Sequence, residues 1–149
     1  MYRDTVTLFN RYQSNTADVW YPTILYNVNL NVDRAAIVER YGENSKDNAI
    51  LNVRYSVKND LMLIENKTYL PPKEWERLPN DELSRYITFD VGNNFSFFIK
   101  GEWGDGKTPI SEADYDGFYE YMNKRYDDVF SVSSASLFSV IPHFEVLGK

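Results

Sequence analysis

The sequence predicts a β-rich α+β fold: an antiparallel β-barrel or sandwich of about seven strands, with one helix and long loops. The first observation is that apolar and polar residues alternate over much of the chain, which is typical of half-buried strands. The second is that a single segment has apolar residues at helical spacing. The third is that 149 residues, 43% of them hydrophobic, suit one domain with a sizeable core. We therefore expect a single barrel-like domain over residues 1–149.

Seven segments have the alternating pattern, in which successive side chains point to opposite faces of a sheet. They are residues 5–8, 23–30, 50–57, 86–91, 95–100, 129–132 and 139–147. Gly92, Asn93 and Asn94 separate the fourth segment from the fifth and tolerate positive φ, so we predict a hairpin there. Ser133 to Ser136 separate the last two.

A helix is predicted over residues 111–126, where Ser111 can cap the first turn. Its apolar residues form one stripe at i, i+3, i+4, i+7 and i+11: Tyr115, Phe118, Tyr119, Met122 and Tyr126. A shorter helical turn is predicted over residues 72–78, between prolines. Residues 33–48 and 60–81 fit no regular pattern, so we expect two long loops there.

Composition excludes several classes of function. The chain has no cysteine and a single histidine, which excludes disulfides, thiolate metal sites and multi-histidine metal sites. The net charge is −6 and the basic residues are scattered, which disfavours sequence-specific nucleic-acid binding. The first residues lack a secretory pattern and no apolar run suits a bilayer, so we expect a soluble protein made in a cytosol. We expect no cofactor, no metal and no membrane partner.

One stretch formally matches a nucleotide-binding motif. Gly101, Gly106, Lys107 and Thr108 satisfy the spacing G-x-x-x-x-G-K-[ST]. The motif needs a helix that starts at the lysine, whereas Pro109 follows two residues later. Acidic residues and a tryptophan within the loop also oppose a triphosphate. We predict an exposed connection between a hairpin and the helix instead.

No residue constellation points to catalysis. Carboxylates are paired at Asp114/Asp116, Asp127/Asp128 and Glu74/Glu76, but the spacing selects no acid–base pair, and solvated charges are the simpler interpretation. His143 near a strand end is expected to make a structural hydrogen bond, since no nucleophile-elbow motif accompanies it. The chain is therefore expected not to be an enzyme, with a carboxylate hydrolase as the least favoured alternative.

Aromatic residues offer the only compositional indication of function. Three tryptophans lie beside turn signals, at Trp20, Trp75 and Trp103, and Tyr21 follows the first of them. Such residues either pack over the edges of a core or anchor a protein interface. Both interpretations stay open, and these four are the candidate interface residues.

Several segments resemble small proteins encoded by tailed phages and prophages of Gram-positive bacteria, whose genes lie among those for head morphogenesis and head–tail joining. They are TVTLFNRY at residues 5–12, WYPTIL at 20–25, VNLNVDRAA at 28–36 and SVIPHFEVLGK at 139–149. Residues 59–85 match nothing in this group. The resemblance is strongest at the two ends of the chain.

The resemblance, to head-closure (stopper) and minor capsid proteins, implies a non-enzymatic virion component at the head–tail junction. It implies a homo-oligomeric ring formed on protein partners, namely portal, adaptor or tail-completion proteins, from a chain that is a monomer alone. It carries over no catalytic residue. The alternative is a small carbohydrate- or ligand-binding β domain, for which Trp20, Trp75 and Trp103 must share one exposed face.

Overall fold

Antiparallel strands dominate the architecture, and the computed structural model describes residues 2–33 and 48–149. The elements, in chain order, are β1 (Asp4–Gln13), β2 (Asp18–Val32), β3 (Ala49–Arg54), β4 (Ser56–Lys58), β5 (Leu61–Ile64), β6 (Lys67–Tyr69), α1 (Pro72–Glu76), β7 (Tyr86–Ile87), β8 (Phe97–Lys100), β9 (Ile110–Ser111), α2 (Phe118–Arg125), β10 (Val129–Phe138) and β11 (His143–Gly148). Short 3-10 helices lie at Leu83–Arg85 and Glu112–Asp114. Residues 34–47 of the loop predicted over 33–48 lie outside the described residues.

Six strands close into an antiparallel barrel. Their order is β1-β8-β10-β11-β3-β2, and β2 pairs back onto β1. The short β9 adds a seventh strand to β2. A separate four-stranded sheet, β4-β5-β6-β7, is antiparallel except for the β6–β7 pair. This architecture confirms the predicted β-rich α+β class with a barrel of about seven strands.

Alternating apolar side chains fill the barrel, as the period-two pattern predicts. The buried residues contributed by its strands are Val6, Leu8, Leu25, Val28, Ala49, Leu51, Val53, Phe98, Phe130, Val132, Phe144 and Val146. Ile64 and Ile87 from the four-stranded sheet belong to the same cluster. The second sheet therefore shares its core with the barrel.

The inward–outward alternation of side chains in β2 shifts by one residue at a β-bulge, which the sequence pattern does not predict. The register between β1 and β2 shifts after Leu25, and Asn27 has a φ of 53°. Leu25 and Val28 therefore both face the barrel interior, whereas Tyr26 is exposed. The alternation predicted over residues 23–30 would place Tyr26 and Val28 on one face, and it is wrong at this point because of the bulge.

The outer face of β1, β8 and β10 has its own apolar layer. We call this set the outer aromatic cluster; its buried members are Phe9, Trp20, Phe97, Ile99, Ile110, Phe118, Met122 and Val129. Phe118 and Met122 belong to α2, so this helix covers the outer wall of the barrel. Ring centroids lie 4.7 Å apart for Phe9 and Phe97 and 4.9 Å apart for Trp20 and Phe97.

The helix predicted over residues 111–126 is shorter than expected. Only Phe118–Arg125 is α-helical, because Asp116 and Gly117 have φ values of 51° and 104°. The Glu112 carboxylate accepts a hydrogen bond from the Phe118 N–H, so an acidic side chain caps the helix in place of Ser111. The shorter turn predicted over 72–78 is present as α1.

The hairpin predicted at Gly92 to Asn94 does not form a strand pair. Its first strand is reduced to β7, which pairs with β6, while β8 lies between β1 and β10. Asn10 replaces the missing ladder: its Nδ2 donates to the Thr88 carbonyl at 2.6 Å, and its Oδ1 accepts from the Thr88 N–H at 3.3 Å. The Asn10 side chain thus satisfies the N–H and carbonyl of Thr88, which the alternating pattern had predicted to pair with a neighbouring strand.

Two segments expected to be irregular are regular. The long loop predicted over residues 60–81 contains β5, β6 and α1. The serines expected to separate two strands lie inside β10, which pairs with β11 from Val132 to Phe138. Conversely, the strand predicted over residues 50–57 breaks at Tyr55 into β3 and β4.

Candidate functional site

Two of the four candidate interface residues are buried. Trp20 is 0% exposed within the outer aromatic cluster, and Trp75 is 1% exposed. The indole N–H of Trp75 donates to the Tyr86 carbonyl at 3.4 Å. Neither ring presents a surface to a partner, so of the two interpretations left open, packing in the core applies to Trp20 and Trp75. Both stabilise the fold, since burial of a large aromatic ring removes much apolar area from water.

The other two candidates, Tyr21 and Trp103, are half-buried. Tyr21 packs its ring edge against Trp75 at 5.9 Å, and burial raises the pKa of its hydroxyl. Trp103 packs against Phe118 at 5.3 Å. With Tyr115, it also lines an open pocket of 380 Å³. The four residues do not form one exposed face.

The stretch that matches the nucleotide motif adopts a different structure. After Lys107 and Thr108 the chain continues into β9 and not into a helix. The loop closes on Asp105, which accepts hydrogen bonds from the N–H groups of Lys107 and Thr108, both at 2.8 Å, and from the Thr108 hydroxyl at 2.5 Å. Its amides therefore bind the loop's own carboxylate, whereas a phosphate-binding loop leaves them free.

His143 has the structural role predicted for it. Its Nδ1 donates to the Ile141 carbonyl at 2.6 Å, and its ring stacks on Phe138 with centroids 4.8 Å apart. Among residues 2–33 and 48–149, no cluster of three or more metal-ligating side chains is present.

An exposed apolar site lies at the end of the β10–β11 hairpin, in a place that our sequence analysis did not single out. We call it the hairpin tip; it consists of Leu137, Phe138, Val140 and Ile141. Their exposed fractions are 52%, 43%, 96% and 68%, respectively. The sequence signal was present, because Val140-Ile141-Pro142 breaks the alternation of a predicted strand with consecutive apolar residues and a proline.

The hairpin tip is held in place by Tyr55, which lies between β3 and β4. The Tyr55 hydroxyl donates to the Phe138 carbonyl at 3.0 Å, and the Tyr55 N–H donates to the Pro142 carbonyl at 3.4 Å. The Tyr55 ring also packs on buried Phe144, with centroids 5.3 Å apart. The tip is thus pre-organised by a side chain anchored in the barrel core.

The described helices, in residues 2–33 and 48–149, include none with the length and apolarity needed to cross a membrane. The chain belongs to a family of unknown function (DUF6751), whose model matches residues 1–149. No curated protein and no solved structure matches the chain.

Proposed function

We propose that this member of DUF6751 is a non-enzymatic structural protein of a phage virion. It acts at the head–tail junction, as a head-closure, connector or minor capsid component, and it is made in the bacterial cytoplasm before assembly. Support for the virion comes from the resemblance of the two ends of the chain, residues 5–12 and 139–149, to proteins of head morphogenesis. The observation that carries a docking role is the exposed hairpin tip, of which Val140 and Ile141 fall within the second of these ranges.

The hairpin tip has the physical character of a protein contact. Four neighbouring apolar side chains are held in water by an ordered turn, and clustered apolar exposure of this kind marks interaction sites. Because Tyr55 fixes the turn, little conformational entropy is lost when the tip docks.

The size of the hairpin tip argues for a partner and against self-association in isolation. A stable interface takes about 20–30 residues a side, many more than the four of the tip. We therefore propose a chain that is a monomer alone and joins a ring when a portal, adaptor or tail-completion protein supplies the rest of the interface. The net charge of −6 is consistent with protein partners and opposes a grip on nucleic acid.

The test is the molar mass by light scattering, measured for the protein alone and after mixing with the portal encoded in the same genome. We expect a monomer that becomes part of a multi-copy ring. The double variant Val140→Asp/Ile141→Asp should lose ring formation, because it places two carboxylates in the apolar contact.

The matched control is Val91→Asp. Val91 is 55% exposed but lies beside Lys149, at the far end of β11 from the hairpin tip. This variant should form the ring as the unchanged protein does. A protein that ignores portal, adaptor and tail-completion proteins alike contradicts the proposal. A double tip variant that still assembles contradicts the role of the tip.

The alternative of a carbohydrate- or ligand-binding β domain fails on the condition set for it, because Trp20, Trp75 and Trp103 share no exposed face. A narrower second candidate is a ligand site with a single tryptophan. Trp20 and Trp75 are buried, so it rests on the pocket that Trp103 and Tyr115 line with Asp105 and Asp114. Half-buried aromatic rings next to carboxylates suit sugar rings. A glycan array tests it: binding that Trp103→Ala abolishes supports this function, and an array without signal excludes the arrayed glycans.

A further inference from the structure

Three basic side chains line one cleft of 530 Å³. They are Lys67 at the start of β6, Arg85 at the end of a 3-10 helix, and Lys107 in the loop before β9. Within the described residues, none of the three forms an ion pair with a carboxylate. We call this place the cationic cleft.

Lys67 is the most deeply placed of the three. Its ammonium donates to the Thr23 hydroxyl at 2.6 Å and to the Pro22 carbonyl at 3.3 Å. An ammonium has three donors, so these two neutral acceptors leave one N–H to be satisfied. Burial lowers the pKa of Lys67 to about 8, and the amine is still mostly protonated at neutral pH. A half-buried cation without a counter-charge is a feature that a bound anion would offset.

The two carboxylates that line the cationic cleft are already engaged by backbone. Glu65 accepts a hydrogen bond from the Tyr26 N–H at 2.8 Å. Asp105 accepts three, and these lower its pKa to about 2. Both anions thus organise loops and stay charged, but neither pairs with Lys67, Arg85 or Lys107, so the cleft lining holds three cations against two carboxylates.

Close packing fixes the walls that carry these cations. Glu65 and Asn66 have φ values of 54° and 70° and connect the paired residues Ile64 and Lys67, which makes a tight hairpin turn. Gly106, with a φ of 69°, is so close to Ile24 that a Cβ atom would lie 2.6 Å from its Cγ1. The glycine of the motif-like stretch therefore serves a close approach of loop and barrel.

We propose that the cationic cleft binds the phosphate group of a small organic phosphate, with Lys67, Arg85 and Lys107 as its ligands. A phosphate monoester carries about −1.5 to −2 charges at pH 7, which calls for more than one cation. A guanidinium can grip two of its oxygens at once. Ile24 and Tyr26 also line the cleft and offer an apolar wall to the organic part.

Size and overall charge favour a small ligand over a polyanion. A volume of 530 Å³ lies within the range of pockets that enclose small molecules, roughly 300–1,000 Å³. The net charge of −6 repels a nucleic-acid backbone, whereas a single phosphate feels chiefly the charges that line the cleft, where the three cations outnumber the two carboxylates. This inference is independent of the proposed structural role.

The experiment is an NMR titration of ¹⁵N-labelled full-length protein with inorganic phosphate, phenyl phosphate, benzoate and a single-stranded oligonucleotide. We expect saturable shifts confined to the segments that line the cleft, around Thr23, Lys67, Arg85 and Lys107. Phenyl phosphate should bind more tightly than inorganic phosphate, and at least tenfold more tightly than benzoate. Equal binding of benzoate, preference for the oligonucleotide, or shifts that never saturate would overturn the proposal.

Matched variants assign the ligands. Arg85 and Lys107 are exposed, so Arg85→Gln and Lys107→Gln should fold normally, and each should weaken phenyl phosphate binding tenfold or more. Lys67→Met should abolish binding. Lys124→Gln removes an exposed lysine of α2 outside the cleft and should leave affinity unchanged. Unchanged affinity in both Arg85→Gln and Lys107→Gln, or equal weakening by Lys124→Gln, would overturn the assignment.

Discussion

The outer aromatic cluster and the hairpin tip both consist of large apolar side chains, but those of the cluster are buried and those of the tip are exposed. In the cluster, Phe9, Trp20 and Phe97 are each 0% exposed, because α2 and β9 lie over the wall of the barrel. At the tip, Phe138 and Val140 are 43% and 96% exposed, because the hairpin runs past the last strand that could cover it. Residue type therefore does not decide which apolar residues are available to a partner; the layer above them does.

The sharpest test of this contrast is Trp20→Ala. We expect it to lower the free energy of unfolding by about 3–5 kcal/mol, the usual effect of truncating a fully buried aromatic ring. The ring contacts Phe97, Phe95 and Phe118, and its removal leaves a cavity that these neighbours fill only in part. Urea unfolding followed by circular dichroism measures the change. A loss below about 1 kcal/mol would show that the ring is not a core residue.

Arg11→Met probes the polar rim of the outer aromatic cluster. The guanidinium binds Asp18 at 2.7 Å and Glu112 at 2.8 Å, and it lies 5.1 Å from the Trp20 ring centroid. Its loss leaves two partly buried carboxylates without a cation, so we expect about 1–3 kcal/mol of destabilisation. Urea unfolding measures this loss of stability. We expect the loss to be only slightly smaller at high salt, because both ion pairs are partly shielded from solvent.

Lys67→Met tests the intermediate case of a half-buried charge. With a folded-state pKa of about 8 against 10.5, the unfolded chain binds more protons between these values. The free energy of unfolding of the unchanged protein therefore contains a contribution that rises as pH increases through this window. We expect Lys67→Met to be more stable by roughly 1–2 kcal/mol at pH 7, after allowance for partial exposure, and to lose this advantage by pH 10.5.

Tyrosines also titrate at high pH, so the pH dependence of either protein alone does not report on Lys67. The difference between their free energies of unfolding does. The pKa values of Tyr21, Tyr26 and Tyr69 are raised in the unchanged protein, and we expect the same in the variant. Urea unfolding from pH 7 to pH 10.5 gives the difference curve. A flat curve would mean that the amine is as well solvated as in the unfolded chain.

The smallest effect on stability belongs to the hairpin tip. Val140→Asp/Ile141→Asp should change the free energy of unfolding by no more than about 0.5 kcal/mol, the usual range for surface substitutions. The same substitutions are expected to abolish ring formation, so stability and assembly separate at this site. A large loss of stability would place these side chains in the folded core and erase the contrast with the outer aromatic cluster.

Periodicity predicted local faces well and long-range pairing poorly. Phe97 and Ile99 do face away from Phe98, as alternation requires. Across Gly92 the Ser96 N–H still donates to the Asp90 carbonyl, but no strand pair extends from this turn, and Asn10, 78 residues from Thr88, binds the Thr88 backbone instead. The helix was overextended because Gly117 lies within an otherwise continuous apolar stripe and adopts a positive φ. In both cases a contact or torsion that no local pattern encodes decided the outcome.

The same limit applies to the site. Trp20 and Trp75 stood beside turn signals, yet whether a ring at a turn is covered depends on elements distant in the chain, here α2 for Trp20 and Tyr21 of β2 for Trp75. The hairpin tip left a trace in the sequence, the run Val140-Ile141-Pro142, but its exposure depends on the length of β3 beside it. Likewise, the three cations of the cationic cleft come from separate segments, which no spacing rule connects.

By itself, the sequence determined the β-rich class, the acidic charge and the absence of thiol chemistry, because these follow from composition and from the two-residue period of strands. Only the tertiary structure decided the barrel closure, the burial of Trp20 and Trp75, and the exposure of the hairpin tip. The physical reason is that a side chain is removed from water only when another element, often distant in the chain, packs over it.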